Sequence, residues 1–201
     1  MRVITSTNVD LISPFPRKEL RRVYGWLHCY KSIIETDAFP DSPEAYETMM
    51  AEALPNMQTY GVIDKNNLTN HKHDSPLVGM FAFEPSSPWN CYIHLASNRR
   101  AWKGHLMDEA ASAAIKDLFE TNPQLLRMSG FILAENKPVR YMAKRLGWTK
   151  EALLEDWVTQ HGSPKTIIHY GLTRKRWLDL TDPINQPPLE EEQFTSHEDT
   201  T

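Results

Sequence analysis

The chain is poor in the features that mark secreted, membrane and metal-binding proteins. Only two of its 201 residues are cysteines, Cys29 and Cys91, and they form no CxxC pair. Both lie in apolar segments, so we expect buried free thiols in a reducing compartment. The first residues lack the apolar core of a signal peptide, and no apolar run approaches the ~20 residues of a membrane helix. These absences predict a cytoplasmic protein that does not cross a membrane.

The chain also has no excess of positive charge. The net charge of −4 at pH 7 gives no electrostatic case for binding nucleic acid or an anionic membrane. His71 and His73 lie in a polar stretch without a carboxylate or cysteine at ligand spacing, so we expect no metal site there. The remaining composition, 40% hydrophobic and 24% charged, is that of an ordinary globular domain.

Hydrophobic periodicity predicts a mixed α/β order of elements. The second helix has clear start signals, with Ser42 as N-cap and Pro43 at the first helical position. The predicted helices cover residues 17–32, 43–54, 104–120 and 138–146. The predicted strands cover residues 2–8, 57–63, 77–83, 89–96, 127–134, 152–158 and 166–173. We therefore expect about four helices flanking a twisted, mostly antiparallel sheet of about seven strands.

The composition changes after Trp177. Residues 182–201 contain two adjacent prolines, three consecutive glutamates and no periodicity. Low hydrophobicity combined with acidic charge predicts disorder. We expect a single domain over residues 1–180 and a disordered acidic tail over residues 181–201, which could dock a protein partner.

The most informative segment covers residues 134–148. An apolar strand ends at Asn136, a short amphipathic helix follows, and Leu146, Gly147 and Trp148 close it. Asn136 suits a helix N-cap, and Gly147 suits the position after a helix that requires positive φ. This pattern resembles a segment of the GCN5-related N-acetyltransferase (GNAT) superfamily. The resemblance extends over residues 89–177, and its C-terminal part is similar to the branch of ribosomal-protein N-terminal acetyltransferases.

The resemblance implies the GNAT fold and acetyl-CoA as cofactor. The family's pyrophosphate loop reads Arg/Gln-x-x-Gly-x-Gly/Ala, and here Arg99 and Gly104 match while Trp102 replaces the first glycine. Backbone N–H groups at a helix N-terminus bind phosphate. The alternative is a basic helix start with Trp102 as a packing anchor. The predicted cofactor contacts are Leu95, Ala96, Arg99, Arg100, Trp102, Lys103, Gly104, His105 and Asn136.

Catalysis of amine acylation requires a base for the ammonium and an acid for the leaving thiolate. His94 and Glu84, on neighbouring predicted strands, are the candidate bases. Tyr141 and Ser129 are the candidate proton donors. The positions at which family members keep a Tyr or Ser donor hold Ala143 and Val139 here.

Two functions therefore stand side by side. The first is direct acyl transfer from acetyl-CoA to a primary amine, which could be a small molecule, a protein N-terminus or a lysine. Backbone N–H groups around residues 94–96 would stabilise the oxyanion. The second is a catalytically degenerate binding or structural protein, of a kind that also occurs among bacteriophage proteins, some of them virion-associated. Trp102, Val139 and Ala143 fit this second function, and fold analogy does not settle activity.

Overall fold

The computed structural model contains one eight-stranded sheet. It describes residues 1–29, 37–67 and 75–182, and for Asn67, Lys103 and Gly104 it describes the backbone alone. The strands are β1 Arg2–Thr5, β2 Val9–Ser13, β3 Gln58–Asp64, β4 Leu77–Ser87, β5 Asn90–Ser97, β6 Arg127–Leu133, β7 Thr149–Gln160 and β8 Ser163–Thr173. The α-helices in the described ranges are α1 Leu20–His28, α2 Pro43–Ala53, α3 Leu106–Thr121, α4 Lys137–Arg145 and α5 Arg174–Thr181. The predicted mixed α/β fold with a mostly antiparallel sheet is confirmed.

The sheet order β1-β2-β3-β4-β5-β6-β8-β7 contains one parallel pair among antiparallel neighbours. That pair is β5 with β6, and its ladder ends at Tyr92 and Ser129. Both strands continue further, β5 to Ser97 and β6 to Leu133. The two strands therefore separate beyond the ladder and leave a gap in the middle of the sheet.

The N-terminal strand is shorter than predicted and is followed by a second one. Residues 6–8 form a turn, and β1 pairs antiparallel with β2. The backbone and side-chain N–H groups of Asn8 donate to the Glu109 carboxylate at 2.8 and 2.9 Å. Val9 and Leu11 on β2 are fully buried. The predicted strand over residues 2–8 therefore ran into the turn, and β2 was not predicted.

The C-terminal end of the domain is a helix that the sequence pattern missed. The Thr173 hydroxyl caps α5 by accepting a hydrogen bond from the Arg176 N–H group. Arg174 donates to the backbone carbonyls of Phe119, Asn122 and Leu125, and so joins α5 to the turn before β6. The helix reaches Thr181, where the acidic tail was predicted to begin. Residues 183–201, which hold the rest of that predicted tail, lie outside the described residues.

Two hydrophobic clusters cover the two faces of the sheet. The larger cluster packs α3, α4 and α5 against one face and contains Phe81, Met107, Ile115, Met128 and Leu172. The smaller cluster packs α1 and α2 against the other face and contains Val23, Leu27, Tyr46, Met80 and Ala82. We refer to these as the α3/α4 face and the α1/α2 face. The gap between β5 and β6 lies between them.

The cysteines differ in environment. Cys91 is buried on β5, and burial raises the pKa of its thiol to about 12. Cys29 is an exposed free thiol, so the expectation of burial was wrong for that residue. Cys29 directly follows α1. The apolar residues of α1 that suggested burial face the sheet, whereas Cys29 lies on the other side of the helix end, toward solvent. None of the helices in the described ranges has the length and apolarity to span a membrane.

Candidate active site

A cavity of about 730 Å³ occupies the gap between β5 and β6. Its walls come from both faces of the sheet. On the α3/α4 face they include Trp102, Ile115 and Ala143, and on the α1/α2 face they include Met50 and Met80. Since the separation of the strands opens the sheet itself, one continuous cavity reaches both faces.

The separated end of β5 forms one edge of this cavity. Ile93, Leu95 and Ala96 line it, as does Ser97. On the β4 side, β5 remains fully paired through Ser97. On the β6 side, its ladder has already ended at Tyr92. Backbone polar groups on this edge therefore have no strand partner on the β6 side, and the predicted contact residues Leu95 and Ala96 lie along it.

The two candidate bases are hydrogen-bonded to each other. His94 Nε2 lies 2.8 Å from Glu84 Oε2. His94 is opposite Ala82 in the β4–β5 ladder, and Ala82 belongs to the α1/α2-face cluster, so His94 projects from that face. Both side chains are about half exposed, and His94 lines the cavity while Ile93 and Leu95 pack toward the other face. The arrangement places an imidazole at the cavity with a carboxylate behind it.

The predicted pyrophosphate loop is a 3₁₀ helix over Arg99–His105. Asn98, which sequence reasoning did not single out, caps it. Its side-chain oxygen accepts hydrogen bonds from the N–H groups of Arg100 and Ala101 at 3.0 and 3.2 Å. These two N–H groups already have a hydrogen-bond acceptor within the protein. Fewer backbone N–H groups of the loop are therefore left to bind a phosphate than the resemblance implies. Asn is a preferred N-cap residue, and its position directly before a helical segment is the signal that could have identified this cap.

Side chains of the loop divide between the cavity and the surface. Arg99 and Trp102 both line the cavity, and Trp102 also packs against the α3/α4-face cluster. Arg100 is exposed. The backbones of Lys103 and Gly104 belong to the 3₁₀ helix, and the structure does not describe the Lys103 side chain. Trp102 therefore combines the packing role of the alternative interpretation with a position beside the cavity.

The start of α3 is held by charge pairs. His105 has a left-handed backbone with φ of 58°, and its Nδ1 lies 2.8 Å from Asp108 Oδ2. Arg145, at the end of α4, donates to both oxygens of Asp108 at 2.7 and 2.9 Å. These hydrogen bonds to the Asp108 carboxylate raise the pKa of Arg145. His105 is thus engaged at its side chain by α3 itself, and the α3 and α4 walls of the cavity are joined.

Asn136 behaves as its position predicts. Its side-chain oxygen accepts a hydrogen bond from the Val139 N–H group at 3.4 Å and caps α4, and Asn136 lines the cavity. Gly147 follows α4 with φ of 78°. Val139 and Ala143, on the same helix, also line the cavity. The two positions without a hydroxyl therefore do face the site.

The two predicted proton donors lie elsewhere. Tyr141 is 61% exposed on the outer side of α4. Ser129 is buried at the closed end of the gap, where its hydroxyl donates to Asn90 Oδ1 at 3.2 Å. Neither belongs to the cavity lining. The 3.6-residue helical period carries Tyr141 away from the cavity, and the β5–β6 register places Ser129 where the strands are still paired.

Other hydroxyl groups line the cavity instead. Tyr170 on β8 belongs to the α3/α4-face cluster together with Met142, Ala143 and Trp148. Tyr46 lines the opposite side, where burial raises its pKa to about 12. Sequence alternation along β8 places Tyr170 with Ile168 and Leu172 on one face, a signal that could have identified it. Within the described residues no cluster of three potential metal ligands occurs, and His71 and His73 lie outside those residues.

Comparison with known proteins gives the same fold. The chain is similar to an acetyltransferase of the GNAT family from Bacillus anthracis, with a TM-score of 0.67 and 15% identity over 87% of this chain and 99% of that one. It is also similar to a ribosomal-protein-S5-alanine acetyltransferase from Vibrio fischeri, with a TM-score of 0.69 and 12% identity over 88% and 99% of the two chains. A third similar structure is Mycobacterium smegmatis RimJ in complex with a CoA-disulfide, with a TM-score of 0.65 and 16% identity over 83% and 82%.

Family membership is shown at the sequence level. No curated protein matches the sequence. The acetyltransferase (GNAT) domain matches residues 11–149, which is more than half of the chain. This match covers β2 through the start of β7 and includes both edges of the cavity. The chain therefore belongs to the GNAT acetyltransferase domain family.

Proposed function

We propose that the protein transfers an acetyl group from acetyl-CoA directly to a primary amine. The observation that carries this proposal is the cavity at the β5–β6 gap, which joins an unpaired strand edge to an imidazole–carboxylate pair. The donor supplies an acetyl thioester. The chain must supply a place for its carbonyl oxygen, a base for the amine and an acid for the sulfur.

The unpaired edge of β5 suits the acyl end of the donor. Backbone N–H groups at residues 94–96 would stabilise negative charge on the carbonyl oxygen as the amine nitrogen attacks. Further along the cavity, Arg99 supplies a positive charge and Trp102 an aromatic face, while Asn136 borders the other side. The residues present thus fit an extended anionic thioester. Arg99 would neutralise more of its phosphate charge than the loop backbone does, because Asn98 already accepts hydrogen bonds from two of the loop N–H groups.

His94 is positioned to take the proton from the amine. It stands at the cavity on the α1/α2 face, so an amine approaching from that face meets it before reaching the β5 edge. Glu84, at 2.8 Å, orients the ring and stabilises the imidazolium that forms. The N–C bond then forms as the C–S bond breaks. The proton from the amine ends on His94.

Tyr170 is positioned to protonate the leaving thiolate. It lies on the α3/α4 side of the cavity, in the same cluster as Ala143. That cluster contains the position at which the family usually keeps a hydroxyl. Replacing Tyr170 by Phe removes the hydroxyl and keeps the ring, so it is the direct test of this role.

The rival function is a cleft that binds without transferring. Val139 and Ala143 favour it, since both face the cavity and neither carries a hydroxyl. Under that function the protein would bind an acyl-CoA or a partner and release no thiol. Measuring binding and thiol release on the same sample separates the two functions.

Thermal unfolding with and without acetyl-CoA tests the proposal. A hundredfold excess of ligand over Kd should stabilise the fold by ~2.7 kcal/mol, and free thiol should appear when an amine is added. Arg99→Ala should raise the Kd about tenfold, because a charge-assisted hydrogen bond contributes ~1.5 kcal/mol or more. Arg17→Ala, an exposed arginine away from the cavity, is the matched control. Absence of stabilisation at millimolar acetyl-CoA contradicts the proposal, and binding without thiol release favours the rival.

A further inference from the structure

The half of the cavity on the α1/α2 face has a wall of thioether side chains. Met49 and Met50 come from α2, Met57 from the residue before β3, and Met80 from β4. Leu27, Tyr46, Ala53 and Ala82 complete this wall. Methionine has three rotatable bonds and a polarizable sulfur, so it adapts to irregular apolar shapes. We call these eight residues the methionine wall.

The methionine wall carries no formal charge. Among the cavity-lining residues whose side chains the structure describes, none is Asp, Glu or Lys, and the basic ones are His94 and Arg99. Arg99 stands beside Trp102, on the loop that leads to α3. Tyr46 stays a neutral phenol at neutral pH, because burial raises its pKa to about 12. A second ammonium group on an acceptor would therefore be desolvated there without a carboxylate to pair with.

Polarity changes sharply along this half of the cavity. At the β5 end stands His94, with the Glu84 carboxylate 2.8 Å from its ring. Ala82, opposite His94 in the ladder, and Met80 beyond it on β4 are almost fully buried, and Met49 on α2 reaches the rim with 42% exposure. The polar end suits an amine that must lose a proton, and the apolar end suits a hydrocarbon body.

We infer that the acceptor is a primary amine borne on an apolar chain, with its nitrogen at His94 and its hydrocarbon part on the methionine wall. This inference rests on the proposed function and adds the class of acceptor to it. An acceptor with a second cationic group a few carbons from the amine is excluded by the same geometry. Apolar contact here scales with the area that the acceptor removes from water.

A series of linear amines tests the inference. With acetyl-CoA saturating, kcat/KM should rise about fourfold per methylene from butylamine to hexylamine, the value expected for burying a CH₂ group. The comparison of hexylamine with 1,6-diaminohexane keeps the chain and adds one ammonium. We expect the diamine to be at least about tenfold worse, because its second charge would be buried unpaired. Calorimetric Kd values for the same amines, measured without acetyl-CoA, give a readout that needs no turnover.

A charge placed on the wall should reverse part of this preference. Met49→Glu puts a carboxylate at the partly exposed rim and should narrow the ratio of hexylamine to diamine by about threefold, the range of a solvent-exposed ion pair. Ala51→Glu adds the same charge to an exposed position of α2 that does not line the cavity. It should leave the ratio unchanged.

The outcomes separate the inference from the proposed function. Binding that favours longer monoamines, without acetyl transfer, supports the inference and overturns the proposed function. Transfer that is indifferent to chain length, or that favours the diamine, overturns the inference and leaves the proposed function standing. If no amine of the series is bound or acetylated, the inference is overturned, and stabilisation by acetyl-CoA decides the proposed function separately. An equal response of the ratio to Met49→Glu and Ala51→Glu contradicts the placement of the apolar chain on the wall.

Discussion

The two faces of the sheet build the two halves of the cavity in different ways. On the α3/α4 face most of the wall residues are buried, among them Ala111, Ile115 and Tyr170, and the Asp108–Arg145 pair joins its two helices. On the α1/α2 face the wall is made of methionines, of which Met49, Met50 and Met57 are only partly buried. The α3/α4 half is closely packed and its helices are joined by an ion pair. The α1/α2 half is lined by flexible side chains and is partly exposed at its rim.

This difference fits a site with one constant and one variable ligand. Close packing of buried side chains leaves few alternative arrangements, so the α3/α4 wall keeps its shape before anything binds. Unbranched thioether side chains repack at low cost, so the α1/α2 wall can follow the shape of its ligand. Under the proposed function, the preorganised half would bind the acyl donor and the adaptable half the acceptor.

The largest expected effect concerns the polar group of the α1/α2 face. His94→Ala should lower kcat about a hundredfold or more, because general-base catalysis contributes ~10²–10⁴. The KM for acetyl-CoA should stay unchanged, since the donor half does not depend on His94. Steady-state kinetics by thiol release measures both values. Glu84→Gln should lower kcat by a smaller factor, and an unchanged kcat in His94→Ala would remove this residue as the base.

A matched pair of methionines tests the packing contrast directly. Met107, on the α3/α4 face, is 1% exposed and would contact any Cβ placed at Gly79, so Met107→Ala should lower the free energy of unfolding by ~3 kcal/mol. Met50 is partly exposed on the other face, and Met50→Ala should cost less than ~1 kcal/mol. Urea denaturation gives both values. Equal losses would show that side chains on the two faces of the sheet are equally closely packed.

The ionic link between α3 and α4 should contribute less. Asp108→Asn removes the charge that Arg145 and His105 share, and should lower the free energy of unfolding by ~1 kcal/mol, since Arg145 is partly open to solvent. The Kd for acetyl-CoA should rise, because the start of α3 borders the donor half. Glu120→Gln breaks the exposed pair with Lys116 on the same helix and should cost less than ~0.5 kcal/mol. A weaker effect at Asp108 than at Glu120 would contradict the link.

The smallest effect is local and depends on pH. Asp37 accepts hydrogen bonds from the N–H groups of His161 and Gly162 at 2.7 and 3.0 Å, and these bonds, led by that of Gly162, lower its pKa. A carboxyl whose pKa is lowered by folding stabilises the fold above its ordinary pKa of ~3.9. That contribution is lost as the pH falls through the lowered value.

Amide hydrogen exchange at the β7–β8 turn measures this directly. Protection of the His161 and Gly162 amides should be constant above about pH 4 and fall below it. In Asp37→Ala these amides should be unprotected throughout. The amide of Leu172, in the fully buried part of β8, serves as the internal control. Protection at His161 that follows Leu172 at every pH would mean that Asp37 does not hold the turn.

Capping and turn signals were predictable because they act over a few residues. Ser42 caps α2 by accepting from the Ala45 N–H group, and Asn136 caps α4 three residues ahead of its own partner. The predicted strands over residues 152–158 and 166–173 require a turn between them, and the structure has a two-residue turn there, at His161 and Gly162, with positive φ at both residues. Each of these features is decided within four residues of chain, where residue preference is strong.

Partnerships between distant residues were not predictable in the same way. Asp108 and Arg145 lie 37 residues apart, and the sequence around either residue gives no indication that the two form a pair. Ser129 seemed available for catalysis, but the parallel register places it opposite Tyr92 at the closed end of the gap. The pairing of His94 with Glu84 depends on the β4–β5 register, which sets Ala82 against His94 and leaves Glu84 one diagonal away.

The sequence by itself determined the order of most elements, the caps of α2 and α4, and the family, because periodicity and capping are local. The tertiary structure decided where the sheet opens, since the β5–β6 ladder ends at Tyr92 although both strands continue. It also decided which hydroxyl faces the cavity, placing Tyr170 there and Tyr141 in solvent. A side chain's direction along a strand or helix follows from local geometry, but what it meets depends on elements that are distant in the chain.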